Sequence, residues 1–172
     1  MANEVFEAVR TLLAVREYDD RELPAGTARR ILEAGYLTAS GSNLQPWHFV
    51  LVRNGDALRK LGSLIRTGPY VARSAAAVIV AYEKDKGESG ISDASRAIQS
   101  MMLAAWGEGV GSNWTGFAHR LENVRQEFGL PETYDVVGVV PLGYPKRKVI
   151  GKKKRKPFSQ VVSAERYGQA LE

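Results

Sequence analysis

Apolar residues recur at helical spacing from the first positions of the chain. Val5, Val9, Leu12 and Leu13 mark one face of a helix predicted from Glu4 to about Ala14, with Asn3 as its cap. Val15 to Tyr18 reads as a short extended piece. A second helix runs from Pro24 to Leu37, with Pro in its first turn and Ala28, Ile31, Leu32, Gly35 and Tyr36 inward. The periodicity stops at Thr38 and resumes as a strand over Trp47–Arg53. Asn54-Gly55-Asp56 forms a turn and cap. A third helix follows from Ala57 to Ile65, with Leu58, Leu61 and Leu64 inward, and Thr67-Gly68-Pro69-Tyr70 breaks it. Ala75 to Tyr82 is apolar on both faces, the signature of a central strand. Lys84 to Gly90 reads as a polar loop. Ser92 caps a long helix through Trp106, whose small and apolar residues cover nearly its whole circumference and predict burial. Gly109 supplies a left-handed helix end, and Gly111 allows close approach as the chain enters another strand. Leu121 to Phe128 is amphipathic and ended by Gly129. Val136 to Leu142 is a strand closed by Gly143-Tyr144-Pro145, and Ser159 to Tyr167 is a short closing segment.

A chain of 172 residues with this pattern, no internal repeat and no dividing linker suits a single domain over 1–172. No run of about 18 apolar residues predicts a membrane span. The acidic, amphipathic N-terminus lacks a signal-peptide pattern, so the cytoplasm is expected. With no cysteine, disulfides and thiol catalysis are excluded, and two isolated histidines, His48 and His119, make a zinc site a poor expectation. The net charge of +5 is local: residues 146–156 hold 8 of the 24 basic residues and no acid, leaving 16 basic against 19 acidic elsewhere. Such a run is a solvated tail, a phosphate site or a nucleic-acid patch. It lacks the interleaved aromatics of a nucleic-acid groove, and no nucleic-acid partner is expected.

The segment Thr38-Ala39-Ser40-Gly41-Ser42-Asn43-Leu44-Gln45-Pro46-Trp47-His48-Phe49 carries the chemistry. Ser and Gly keep the backbone close to whatever it faces. Asn43 and Gln45 each offer a donor and an acceptor, and Pro46 sets the exit angle. The loop suits a flat ligand with polar edges. The plainer alternative is a self-capping connector with Trp47 in the core. No acid–base pair or nucleophile stands out: Ser40 and Ser42 lack a recognisable partner motif, and Asp19-Asp20 reads as a solvated turn. No catalytic side chain is expected, and a cofactor would carry the chemistry.

Ser40-x-x-Asn43-x-Gln45-Pro46-Trp47-x-Phe49 resembles the signature of the nitroreductase family of FMN-dependent homodimeric oxidoreductases. The resemblance extends over about residues 5–165. It includes the Asp93-Ala94-x-x-Ala97-x-Gln99 helix, the Gly109-x-Gly111-Ser112-x-Trp114-x-Gly116 stretch, Leu142-Gly143-Tyr144-Pro145 and Lys153-Lys154-Arg155-Lys156-Pro157. It implies an α+β fold, a three-layer α-β-α arrangement with a mixed, mainly antiparallel sheet, the long helix lying at a dimer interface. It implies that Arg16 approaches the N1/O2 edge of FMN and that Lys153 and Arg155 meet its phosphate, all from one subunit. The loop with Ser40, Gly41, Ser42, Asn43 and Gln45 would come from the other subunit. A backbone N–H at Thr115 and Gly116 would face flavin N5.

The early R-R-S-x-R-x-F pattern of the family is altered here. Leu12 occupies the position of the first Arg and Ala14 that of the Ser, and Arg10 could substitute as a phosphate contact. A plainer role for Arg16 is a salt bridge with Asp19 or Asp20. No insertion follows residue 84 to roof the site, as larger family members have. The implied reaction is ping-pong: NAD(P)H gives hydride to the flavin, and a nitro compound, quinone or similar small acceptor removes the electrons. The alternative is a flavin-binding storage or sensing protein of the same fold.

Overall fold

The computed structural model describes residues 2–116 and 121–171, the side chains of residues 2 and 3 excepted. His119 and Phe117 lie outside the described residues. The elements are α1 (Ala2–Thr11), α2 (Ala25–Tyr36), β1 (Trp47–Val52), α3 (Gly55–Leu64), β2 (Ala76–Glu83), α4 (Gly87–Gly107), β3 (Gly111–Ser112), α5 (Glu122–Glu127) and β4 (Tyr134–Gly143). The strands form one sheet in the order β1-β2-β4-β3, and every pair is antiparallel. The parallel component is a single bridge between Ala14 and Ser112.

β2 explains the layering. Its residues alternate between the two faces of the sheet. Ala76, Val78 and Val80 join one core with Ala28 and Ile31 of α2 and Ala97, Ile98 and Met101 of α4. Ala77, Ile79 and Ala81 join a second core with Leu58 and Leu61 of α3 and Val124 of α5. Six of its eight residues are buried, as a strand covered on both faces requires. The result is the α-β-α sandwich within an α+β fold. α2 lies close on α4 because Gly35 has no side chain: a Cβ there would sit 2.9 Å from Met101 Cγ. Asn54 caps α3 as its position suggests, its Oδ1 accepting from Asp56 N and Ala57 N at 3.0 and 3.1 Å.

Several expectations are corrected. α1 starts at Ala2, so Asn3 lies within the helix rather than capping it, and the helix stops at Thr11. The expected inward face of α1 is split: Leu12 is 8% exposed, but Val5 and Val9 are 65% and 45% exposed. Tyr36 points outward. The polar loop at 84–90 shrinks to a 3₁₀ turn over Lys84–Lys86, and α4 begins at Gly87, so Ser92 lies inside the helix. The two glycines that signal a loop do other work there. Gly90 is buried, and a Cβ on it would meet the Tyr82 ring at 2.8 Å, so its bareness lets the helix start lie against β2. α4 is buried along one face only; Met102, Leu103 and Ala104 are half-exposed. Among the described residues no helix is long and apolar enough to cross a membrane, and no His, Asp and Glu cluster could hold a metal ion.

Candidate functional site

The segment after α1 runs beside the sheet edge. Val15 N donates to Ser112 O at 2.9 Å, Asp19 N to Tyr144 O at 2.9 Å, and Lys146 N to Glu17 O at 3.0 Å. Val15 and Tyr18 point inward and are buried, and the two residues between them, Arg16 and Glu17, are exposed. Tyr18 packs against bare Gly143, and its hydroxyl donates to Val15 O at 2.8 Å. Burial pushes the Tyr18 phenol well above its usual range; nearby Tyr70 adds to this and Arg16 opposes it. The Arg16 guanidinium has no hydrogen bond or ion pair among the described residues. The suggested bridge to Asp19 does not form, because Asp19 takes Arg21 at 2.8 Å. Arg21 also lies 4.0 Å over the Tyr144 ring.

The basic positions are placed as follows. Leu12 packs inward, so no cation could project outward from that position. Arg10 forks onto Glu7, its Nε 2.9 Å from Oε1, and this holds the Glu7 carboxyl below its ordinary range. Lys153 Nζ donates to Val9 O, at the end of α1 where the helix dipole favours a cation. Gly151 rests on Leu13. The tail thus brings Lys153 back beside Arg10. Arg155 is exposed and, among the described residues, donates only to its neighbour Lys154 O, at 3.0 Å.

On the adjoining strand, Thr115 exchanges both backbone hydrogen bonds with Val139, at 3.0 and 2.9 Å. The next amide, that of Gly116, has no partner among the described residues; Gly116 holds a φ of 83° and packs against Leu121. The Ser112 hydroxyl is buried with no hydrogen-bond partner among the described residues. Asn113 Nδ2 donates to Tyr70 Oη at 2.5 Å and to Trp114 O at 3.2 Å. The pairing of Tyr70 with Asn113 gave no usable signal in the sequence, because only the fold sets residues 67–70 beside 112–115, where Thr67 and Thr115 hydroxyls lie 3.2 Å apart.

The loop before β1 is exposed from Gly41 to Gln45. Ser42, Asn43 and Gln45 hold φ values of 48°, 56° and 50°, a region that non-glycine residues adopt at a cost. The loop braces itself: Gln45 N donates to Ser40 Oγ at 2.9 Å, and Gln45 Nε2 to Asn43 O at 3.0 Å. Trp47 joins the core cluster, so the self-capping alternative holds for Trp47 and Ser40, while the Asn43 side chain has no hydrogen bond among the described residues. Gly41 N donates to Asp93 Oδ2 at 3.1 Å. In the sequence Asp93 stands out only as part of the family-like Asp93-Ala94-x-x-Ala97-x-Gln99 helix.

These parts do not meet in one chain. The loop leads into Trp47, which pairs with Tyr82, at one end of β2. The Arg16 segment bonds to Ser112, opposite Leu142, which pairs with Ala76 at the other end of β2. Six residues of strand separate those ends, about 20 Å, and the strand order adds three spacings, about 14 Å. A cavity of about 580 Å³, lined by Glu83, Lys84, Asp85, Thr133 and Tyr134, touches none of the anticipated residues.

Comparison with known proteins bears on this arrangement. The model of the nitroreductase family matches residues 13–77 and 66–144. A Methanothermobacter thermautotrophicus protein named "Putative NADH dehydrogenase/NAD(P)H nitroreductase" is 37% identical over 149 residues, 83% of this chain and 78% of its own. A protein of the same name from Archaeoglobus fulgidus is 33% identical over 150 residues, 83% of this chain and 86% of its own. A crystal structure from Parabacteroides distasonis, again under that name, superposes with a TM-score of 0.87 at 27% identity, covering 96% of this chain and 99% of that one.

Proposed function

The chain belongs to the nitroreductase family, and from that premise we propose that it is an FMN-dependent NAD(P)H oxidoreductase, acting as a cytoplasmic homodimer on a nitro compound, quinone or similar small acceptor. The observation that carries this reading is the separation of its parts. Arg16 and the Gly116 amide lie uncommitted on one side of the sheet. An exposed, strained loop with an uncommitted Asn43 amide lies at the other end. A second copy can bring its loop to the first copy's Arg16, and the exposed apolar residues Val5, Phe6 and Val9 of α1 offer it a face to bury.

The residues present fit FMN. The buried Ser112 hydroxyl and the Gly116 N–H, both without a hydrogen-bond partner among the described residues, suit the polar edge of a flavin ring. Arg16 supplies a fixed positive charge. Lys153 at the end of α1, with Arg155 on the same tail, can neutralise a phosphate dianion in place of the anchor that Leu12 cannot provide, and Arg10 would join them by leaving Glu7. When bound, FMN supplies a carrier that accepts a hydride at N5 and later yields two electrons. The chain's own work is to hold and polarise. Arg16 would place its charge where negative charge develops at N1 and O2, and a preorganised charge there would stabilise the transition state without reorganisation. The Gly116 amide would serve to orient the N5 region, and the loop of the second copy would face the ring.

Purified, desalted protein is expected to show a flavin absorbance spectrum and to release a chromophore with the mass of FMN. Arg16→Ala is expected to lose FMN retention and to slow flavin reduction by NAD(P)H. Unchanged flavin content and reduction rate in that variant would sink the assignment of Arg16. Tight FMN binding without NAD(P)H oxidation, whatever the acceptor, would place the chain with storage or sensing proteins.

A further inference from the structure

We propose that Asp93 is a positioning residue for the cofactor contact made across the subunit boundary, acting through the backbone of Gly41. This rests on the FMN reading above. Asp93 lies in the second turn of α4, 3% exposed, beside the core residues Ala94, Ala97 and Ile98. A carboxylate so placed requires hydrogen-bonding partners. It has two: the Arg96 guanidinium one turn on, and the Gly41 N–H at 3.1 Å. The Arg96 side chain is half-exposed, so it shields the charge from the surface side. The Gly41 N–H reaches it from the exposed loop before β1.

The loop that Gly41 begins needs such a hold. Three of its residues, Ser42, Asn43 and Gln45, sit at left-handed φ without being glycine. Conformations of this kind persist only where their surroundings over-determine them. Where the loop joins β1, Pro46 O accepts from Glu83 N at 2.9 Å; between Ser40 and Gln45 the other hydrogen bonds among the described residues are internal: Asn43 N to Ser40 O, Leu44 N to Gly41 O, Gln45 N to Ser40 Oγ and Gln45 Nε2 to Asn43 O. They set the loop's shape but not its place on the molecule. At the loop's base, Thr38 Oγ1 bonds to Ser100 Oγ at 2.8 Å. Nearer its tip, the bond to Asp93 is the tie to α4 among the described residues. Asp93 therefore sets where the Asn43 amide stands relative to the ring held by the other copy. It touches neither ring nor acceptor.

The test uses full-length protein stripped of flavin and titrated with FMN. Asp93→Ala is expected to weaken FMN binding about 10- to 100-fold, the range for losing a hydrogen bond to a charged acceptor. Asp93→Asn keeps an acceptor oxygen and is expected to recover most of the affinity. Arg96→Ala leaves the Gly41 contact in place and is expected to stay within about threefold of wild type. Asp93→Ala chains are also dissociated and reassociated with an equal amount of Arg16→Ala chains. Each mixed dimer then holds one site with an intact Arg16 and an intact tethered loop, so random pairing recovers about a quarter of wild-type FMN capacity. A purely structural defect would not be complemented in this way. Unchanged affinity in Asp93→Ala, or no recovery on mixing, overturns the proposal. If wild-type protein binds no FMN, the cofactor reading falls instead. Exchange of the Gly41 amide then decides the tether: faster in Asp93→Ala supports it, and an equal rate overturns it.

Discussion

A methyl group at Gly111 has no space to occupy. A Cβ built there lies 2.7 Å from Val15 Cβ, Cγ1 and Cγ2 alike, against an ordinary carbon contact of about 3.5–4.0 Å. Rotating Val15 gives no relief, because all three atoms are equally close. Gly111 is not among the residues with left-handed φ, so the obstacle is steric rather than conformational. Overpacking of this kind costs about 1–3 kcal/mol. The lower chain entropy of alanine in the unfolded state offsets about 0.4–1 kcal/mol of that. Gly111→Ala is therefore expected to destabilise the fold by roughly 1–2 kcal/mol. Val15 N is bonded to Ser112 O, so relief must come from moving the backbone that carries Arg16. FMN affinity is expected to fall together with stability. Val15→Ala alone removes two buried methyl groups, at about 1.6 kcal/mol. Combined with Gly111→Ala it also removes two of the three contacts, so the double variant should cost less than the sum by at least ~0.5 kcal/mol. Urea unfolding of the four proteins, with FMN titration of each, checks this. A Gly111→Ala protein within about 0.5 kcal/mol of wild type, or strictly additive variants, would refute the packing argument.

Two further outcomes follow from the same geometry. Burial raises the Tyr18 pKa above its ordinary value near 10. The stability this contributes is complete below pH ~10 and declines as pH rises toward the folded-state value, because the unfolded chain ionises first, at most about 1.4 kcal/mol per pH unit. Urea midpoints between about pH 9 and 11 should fall less steeply for Tyr18→Phe than for wild type, and parallel curves would reject this source. Phe6 is 62% exposed, so Phe6→Glu should leave the fold intact. It would weaken self-association at least ~100-fold by burying an unpaired charge in the dimer, and FMN would be lost with it; an unchanged dimer in sedimentation equilibrium counts against the α1 face.

Much of the fold was legible because burial leaves a period in the chain. Ala76 to Glu83 is apolar on both faces, and such a run has few places other than the middle of a sheet. Asn54 as a cap and Gly109 as a left-handed helix end were read from single residues, since each position tolerates few residue types. The start of α4 was misread for the converse reason. Gly87 and Gly90 are loop residues by local preference; Gly87 takes a φ of 50° at the helix start, and only contact with Tyr82 makes the bareness of Gly90 useful in a helix. The face of α1 was misread because periodicity reports that a surface is apolar, not which partner covers it.

The candidate site divides along the same line. The loop Ser40–Gln45, the Gly109–Gly116 stretch and the basic tail form contiguous motifs, and contiguous motifs are visible in one dimension. The tether from Asp93 to Gly41, the pairing of Asn113 with Tyr70, and the return of Lys153 to Val9 join residues 52, 43 and 144 positions apart. No local preference encodes such contacts, and folding creates them. The sequence by itself determined which residues could meet a flavin. The tertiary structure alone decided that one chain holds them at opposite ends of a four-stranded sheet, because β2 runs the length of the core between them and its rigid, fully paired backbone cannot shorten.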